Sequence, residues 1–113
     1  MILETDNLVT VGIPFYCKTN PEYFIESVDS IIKQTLQPSK IHLIQDGLVS
    51  DELMQIIDSY SQNFQDLIEI ISLDKKGLPY ALNKSILKCD TKYYARMDSD
   101  DIAFETRLEE QIL

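Results

Sequence analysis

The 113-residue sequence predicts an α/β fold built on a doubly wound parallel sheet, with helices on both sheet faces. Two observations carry that expectation. Short runs rich in β-branched residues alternate four times with stretches of helical apolar spacing. The intervening stretches are about three turns long, which suits right-handed crossovers between parallel strands. A strand order of 3-2-1-4 would place the reversal of winding between the first and fourth strands. Ligands of such sheets bind at that reversal, beyond the carboxyl ends of the strands.

The first strand covers residues 8 to 14, Leu-Val-Thr-Val-Gly-Ile-Pro, and is expected to end near Ile13 because Pro14 has no N–H for the ladder. Asn20, Pro21 and Glu22 then supply an N-cap, a proline at the first helical position and a carboxylate at the positive helix end. Phe24, Val28, Ile31 and Ile32 follow at helical spacing, so the first helix runs to about Gln34. Pro38 breaks the chain, and Ile41 to Ile44 forms a second strand that stops at Gln45-Asp46-Gly47. Ser50, Asp51 and Glu52 repeat the capping logic before Leu53, Ile56, Ile57 and Tyr60 line one face of the second helix. Leu67 to Ile71 is the third strand. Gly77 and Pro79 open the third helix, with Leu78, Ala81, Leu82, Ser85 and Ile86 on one stripe. Tyr93 to Met97 is the fourth strand, and Phe104 to Leu113 begins a fourth helix with Leu108 and Ile112 facing inward.

At 44% hydrophobic and 26% charged, residues 1–113 have the composition of one globular domain. The net charge of -9 argues against a nucleic-acid backbone or an anionic membrane surface as partner, since both would be repelled. A nucleotide remains accessible through a bridging cation. Cys17 and Cys89 stand far apart, with no Cys-x-x-Cys pair and no basic, hydrophobic leader, so both are expected to be reduced, half-buried thiols in a cytoplasmic protein. No apolar run approaches the ~20 residues of a membrane helix.

Chemistry concentrates after the fourth strand, where Asp98-Ser99-Asp100-Asp101 places three carboxylates in four residues. Unpaired carboxylates repel one another and are costly to desolvate, so a cluster of hard oxygen donors at a strand end suits Mg²⁺ or Mn²⁺ shared with a phosphate-bearing ligand. The plainer alternative is a solvated turn capping the next helix. In the predicted topology Pro14-Phe15-Tyr16 and Asp46-Gly47 end strands beside this loop. Tyr16 has a ring to lay against a nucleobase. Asp46, an acceptor when ionised, suits a base imino N–H, and Gly47 allows a positive φ. Asp98 and Asp100, two apart in an extended segment, would point the same way toward a metal and ribose hydroxyls. Taken singly, Tyr16 reads first as a core or rim aromatic and Asp46-Gly47 as an ordinary turn; their convergence favours a site.

These segments resemble the N-terminal half of a family 2 glycosyltransferase of the GT-A fold, of the kind that builds bacterial capsular and exopolysaccharides. The resemblance extends from Val9 to Leu113. It is carried by Val9-Thr-Val-Gly-Ile-Pro-Phe-Tyr16, Tyr23 through Ser30-Ile-Ile-Lys-Gln-Thr-Leu36, Ile41 to Gly47, Gly77-Leu-Pro-Tyr-Ala-Leu-Asn83, Ala95-Arg-Met-Asp-Ser-Asp-Asp-Ile102 and Arg107-Leu-Glu-Glu-Gln111. It implies that Pro14, Tyr16 and Asp46 receive the uridine of a UDP-sugar and that Asp98 to Asp101 is the family's Asp-x-Asp element. In that element Asp100, with Asp98, would hold Mn²⁺ or Mg²⁺ on the diphosphate, and Lys75 or Lys76 would approach the phosphates. It further implies inverting, metal-dependent sugar transfer to a saccharide or lipid-linked acceptor, at the inner face of the membrane in the full-length protein. The chain departs from the usual pattern at Gln45, Cys17, Leu48-Val49 and Phe104, and these leave base and sugar preference open.

Because the sequence ends at Leu113 inside a predicted helix, it is expected to be the donor half without the acceptor half, inactive alone and prone to self-association through exposed apolar surface. No residue is assigned as the catalytic base. His42 sits mid-strand and is expected to be a packed core histidine. A Mg²⁺-binding signalling module with a similar sheet would carry acidic residues after the first strand, where this chain has Pro14-Phe15-Tyr16. A nucleotidyltransferase would need a glycine-rich basic loop there, and Gly12 to Lys18 has one glycine. A folded, inactive nucleotide- or metal-binding fragment is the remaining alternative.

Overall fold

The computed structural model describes residues 8–112. Four strands, β1 (Val9–Phe15), β2 (Lys40–Asp46), β3 (Ile68–Leu73) and β4 (Tyr93–Arg96), alternate with helices α1 (Pro21–Ile32), α2 (Asp51–Asn63), α3 (Leu78–Leu87) and α4 (Arg107–Ile112). All strand pairs are parallel and the order is β3-β2-β1-β4, so the expected 3-2-1-4 sheet forms.

Alternation along β1 explains the two faces. Val9, Val11, Ile13 and Phe15 are buried with Ile41 and Leu43 of β2 against Phe24, Val28 and Ile31 of α1, Leu53 and Ile57 of α2, and Leu108 of α4. On the opposite face Ile44 and Ile71 pack on Ala81 of α3. Burying a Val, Ile or Phe side chain contributes about 1.5–3 kcal/mol. A one-residue slip would present Thr10, Gly12 and Pro14 to α1 instead, so the register is strongly specified.

Several boundaries differ from expectation. β1 continues through Pro14 to Phe15. β4 pairs only with Val9 to Gly12, so at Pro14 no ladder is drawn on that side and the missing N–H costs little. The fourth helix starts at Arg107 rather than Phe104, whose ring is 85% exposed; Leu108 is buried as expected and Ile112 packs against the core edge. Leu113 lies outside the described residues. On α3 only Ala81 and Ser85 are buried, while Leu78 and Ile86 of the expected stripe are exposed, because the sheet surface beneath is partly small and polar. Cys17 is exposed rather than half-buried; Cys89 is intermediate, and both are free thiols. His42 is buried mid-strand, as expected. Among the described residues no helix is long and apolar enough to cross a membrane.

Candidate functional site

Three loops at the carboxyl ends of β1, β2 and β4, with the start of α3, enclose a cleft of about 750 Å³. Pro14, Tyr16, Asp46, Asp98 and Asp100 all line it, so Tyr16 and Asp100 share one cleft across the reversal of winding. Asp101 sits beside it in the acidic loop.

The β1 loop is closed by a turn in which Thr19 N–H donates to the Tyr16 carbonyl (3.1 Å) and Thr19 Oγ1 accepts the Tyr16 N–H (3.0 Å). Tyr16 is left 45% exposed, which keeps a ring face available at the rim. Asn20 then caps α1 by accepting from the N–H groups of Glu22 and Tyr23 (2.9 and 3.1 Å). Phe15 and Phe24 stack in a tilted pair 5.0 Å apart, which seats the start of α1 beneath the cleft.

At the end of β2, Asp46 has a second task that sequence reasoning missed. Its Oδ1 accepts from Lys76 N–H (2.8 Å) and its Oδ2 from Gly77 N–H (3.1 Å). Gly77 is the N-cap of α3 and offers no side chain, so Asp46 caps that helix from across the sheet end. Each oxygen retains a lone pair for one further donor. The legible signal was a glycine-opened helix needing an acceptor from elsewhere. Gly47 adopts φ +88°, as its sequence position suggested, and a side chain there would press on Lys75.

The acidic loop is gathered by a turn rather than by strand alternation: Asp101 N–H donates to the Asp98 carbonyl (3.2 Å). Carboxylate oxygens of Asp98, Asp100 and Asp101 lie within 4.8 Å of one another, all exposed. Extended alternation would have sent Asp101 the other way. Such a hard-oxygen donor set, open to a cleft, fits Mg²⁺ or Mn²⁺. Arg96 pairs with Asp98 (2.9 Å), but with both side chains about half exposed (49% and 51%) the pair offsets only part of the local charge. Lys18, Lys75 and Arg96 line the cleft beside Asp46, Asp98 and Asp100, so the site is far less acidic than the chain. Lys76 is not among the lining residues.

A polar stripe on and just after α1 holds this loop. Ser27 Oγ donates to the Asp98 carbonyl (3.0 Å), and Ser30 Oγ accepts the Ala103 N–H (3.0 Å). Gln34 Nε2 donates to the Phe104 carbonyl (2.6 Å) while its Oε1 accepts the Leu108 N–H (3.0 Å). Thr35 N–H donates to the Glu105 carbonyl (2.8 Å). Nothing in the sequence assigns these residues a role; polar side chains three and seven apart beside an apolar stripe are the available signal.

Residues 10–113 match the family described as Glycosyl transferase family 2. The chain belongs to that family. This family 2 chain is 37% identical over 106 residues to the amylovoran biosynthesis glycosyltransferase AmsE of Erwinia amylovora, covering 93% of this chain and 39% of that protein. It is 36% identical over 101 residues to the UDP-Gal:alpha-D-GlcNAc-diphosphoundecaprenol beta-1,3-galactosyltransferase of Escherichia coli, covering 88% of this chain and 36% of that one. The chain therefore spans well under half the length of these curated relatives. Its fold is the GT-A fold of solved glycosyltransferases. The mannosyltransferase PcManGT from Pyrobaculum calidifontis, in complex with GDP-Man and Mn²⁺, superposes with a TM-score of 0.71 at 18% identity, over 86% of this chain and 30% of that one.

Proposed function

We propose that this family 2 chain binds the nucleotide-sugar donor, a UDP-sugar, for transfer to a saccharide or lipid-linked acceptor in surface polysaccharide synthesis. The observation that carries this reading is the shared cleft: Pro14, Tyr16 and Asp46 line it together with Asp98 and Asp100, on which the Asp101 carboxylate converges from beside it. The amylovoran enzyme and the galactosyltransferase acting on a diphosphoundecaprenol-linked sugar support the pathway and the donor class.

Tyr16 stacks on the base, Pro14 walls the pocket, and a free lone pair of Asp46 accepts the uracil imino N–H. Asp100 and Asp98 would hold Mn²⁺ or Mg²⁺ for the donor diphosphate, Asp98 would also reach the ribose, and Lys75 would face the phosphates. When bound there, a divalent cation would offset the charge of the departing diphosphate. Transfer with inversion further needs a carboxylate to take the acceptor proton, a role given to no residue of this cleft.

The test is thermal unfolding with UDP and Mn²⁺. Ligand at about 100 times its Kd stabilises by about 2.7 kcal/mol, or roughly 10 °C for a chain of this size. Wild type should show such a rise, larger with UDP than with GDP, and Asp100→Ala should abolish it. A rise that survives Asp100→Ala would sink the metal assignment.

A further inference from the structure

We propose that Ser27 and Gln34, neither of which lines the cleft, are positioning residues that set the convergence of the Asp98, Asp100 and Asp101 carboxylates. This deepens the donor-binding reading above and rests on it. Between Arg96, the last residue of β4, and Arg107, the first of α4, the chain has no helix or strand, and it carries three mutually repelling carboxylates at the surface. Left to itself such a segment would spread its charges. Its backbone is instead pinned from below. Asp98 offers its carbonyl to both the Ser27 hydroxyl and the Asp101 N–H, so the serine fixes the oxygen around which the carboxylates turn. Gln34 fixes the far end, using its amide nitrogen on Phe104 and its amide oxygen on Leu108. Ser27 is 0% and Gln34 2% exposed. Buried polar groups are costly unless paired, and the pairings of these two side chains are spent largely on this segment. A helix face needing only apolar packing would carry Ala and Leu at such sites.

The consequence is separable from fold stability. Loosening these hydrogen bonds lets the carboxylates part, which weakens cation-assisted binding and leaves Tyr16 and Asp46 in place. UDP affinity would be measured by calorimetry with excess Mn²⁺ and again with EDTA, for wild type, Ser27→Ala and Gln34→Glu. Ser27→Ala keeps a good helix former at that position, so it reports even where Gln34→Glu fails to fold. Wild type gains affinity with Mn²⁺; each variant loses at least about threefold of that gain, the worth of one hydrogen bond, with the EDTA value unchanged. Amide exchange at Asp101 in Ser27→Ala, and in Gln34→Glu at Arg107, whose N–H shares the Phe104 carbonyl with the lost amide donor, quickens in the same samples. A full Mn²⁺ gain in Ser27→Ala overturns the proposal, as does an equal loss in both arms, which marks a merely structural role. Wild-type binding without any Mn²⁺ gain also overturns it while sparing the nucleotide reading. No UDP binding by wild type in either arm defeats that reading and this one together.

Discussion

His42, the only histidine of the sequence, is 1% exposed, with its Nδ1 2.8 Å from Ser85 Oγ. Tyr94 donates its hydroxyl proton to the same oxygen (2.7 Å), which leaves the serine proton for a neutral imidazole. Burial is the main cause that pushes the His42 pKa below its ordinary 6.5, with Lys40 and Lys88 adding to the shift and Glu69 and Asp90 opposing it. The unfolded chain therefore binds a proton that the folded one resists. This contribution to stability is complete above pH 6.5 and is lost as pH falls from there toward the folded value. Urea unfolding of wild type and His42→Gln at pH 7.5 and about 5.5 should show wild type losing more stability on acidification. Equal losses would refute the buried, neutral histidine. A mid-strand place made its packed role legible in sequence. The partner Ser85 was not legible, because it comes from a helix 43 positions later.

At the scale of elements, the fit of α3 and β4 over β1 depends on one missing side chain. A Cβ at Gly12 would collide with the Tyr94 hydroxyl and approach Ser85 Oγ at 3.2 Å. Gly12→Ala should therefore destabilise by about 1–3 kcal/mol through overpacking. Tyr94→Phe, which removes the atom met first, should recover part of that loss in the double variant. Additive effects in denaturant titrations would show that the two positions do not meet. The caps at Asn20 and Ser50 were readable because each acts within three residues of its own side chain. The cap of α3 came from Asp46, thirty-one positions before Gly77, and no local pattern announces such a partner. The start of α4 lies at Arg107 and not at Phe104 for a related reason: backbone groups of 103–105 are drawn to Ser30, Gln34 and Thr35 instead of closing helical turns.

For the whole molecule, charge and apolar surface act in opposite senses. The chain carries a net charge of -9, which keeps copies apart at low ionic strength. Yet β3 and β4 are the edges of the described sheet, and Leu48, Leu87, Ile102 and Phe104 are 65–90% exposed. Size-exclusion at several concentrations should show association that grows with protein concentration and with salt, as screening removes the repulsion. A single monomeric peak across both series would refute it. The net charge also misdescribes the cleft, where three cations stand beside three carboxylates. Composition averages over the surface, whereas a ligand meets the local field.

Local chemistry determined the alternation of strands and helices, the caps of α1 and α2, the positive φ at Gly47 and the acidic loop at a strand end, since each depends on residues adjacent in the chain. Tertiary structure alone decided that Asp46 holds the start of α3, that His42 meets Ser85, and that Ser27 and Gln34 carry the acidic loop on their backs. Propensity and hydrophobic period act over a few residues, but a hydrogen bond forms wherever the packed layers bring donor and acceptor together. Only folding reveals those meetings across a sheet.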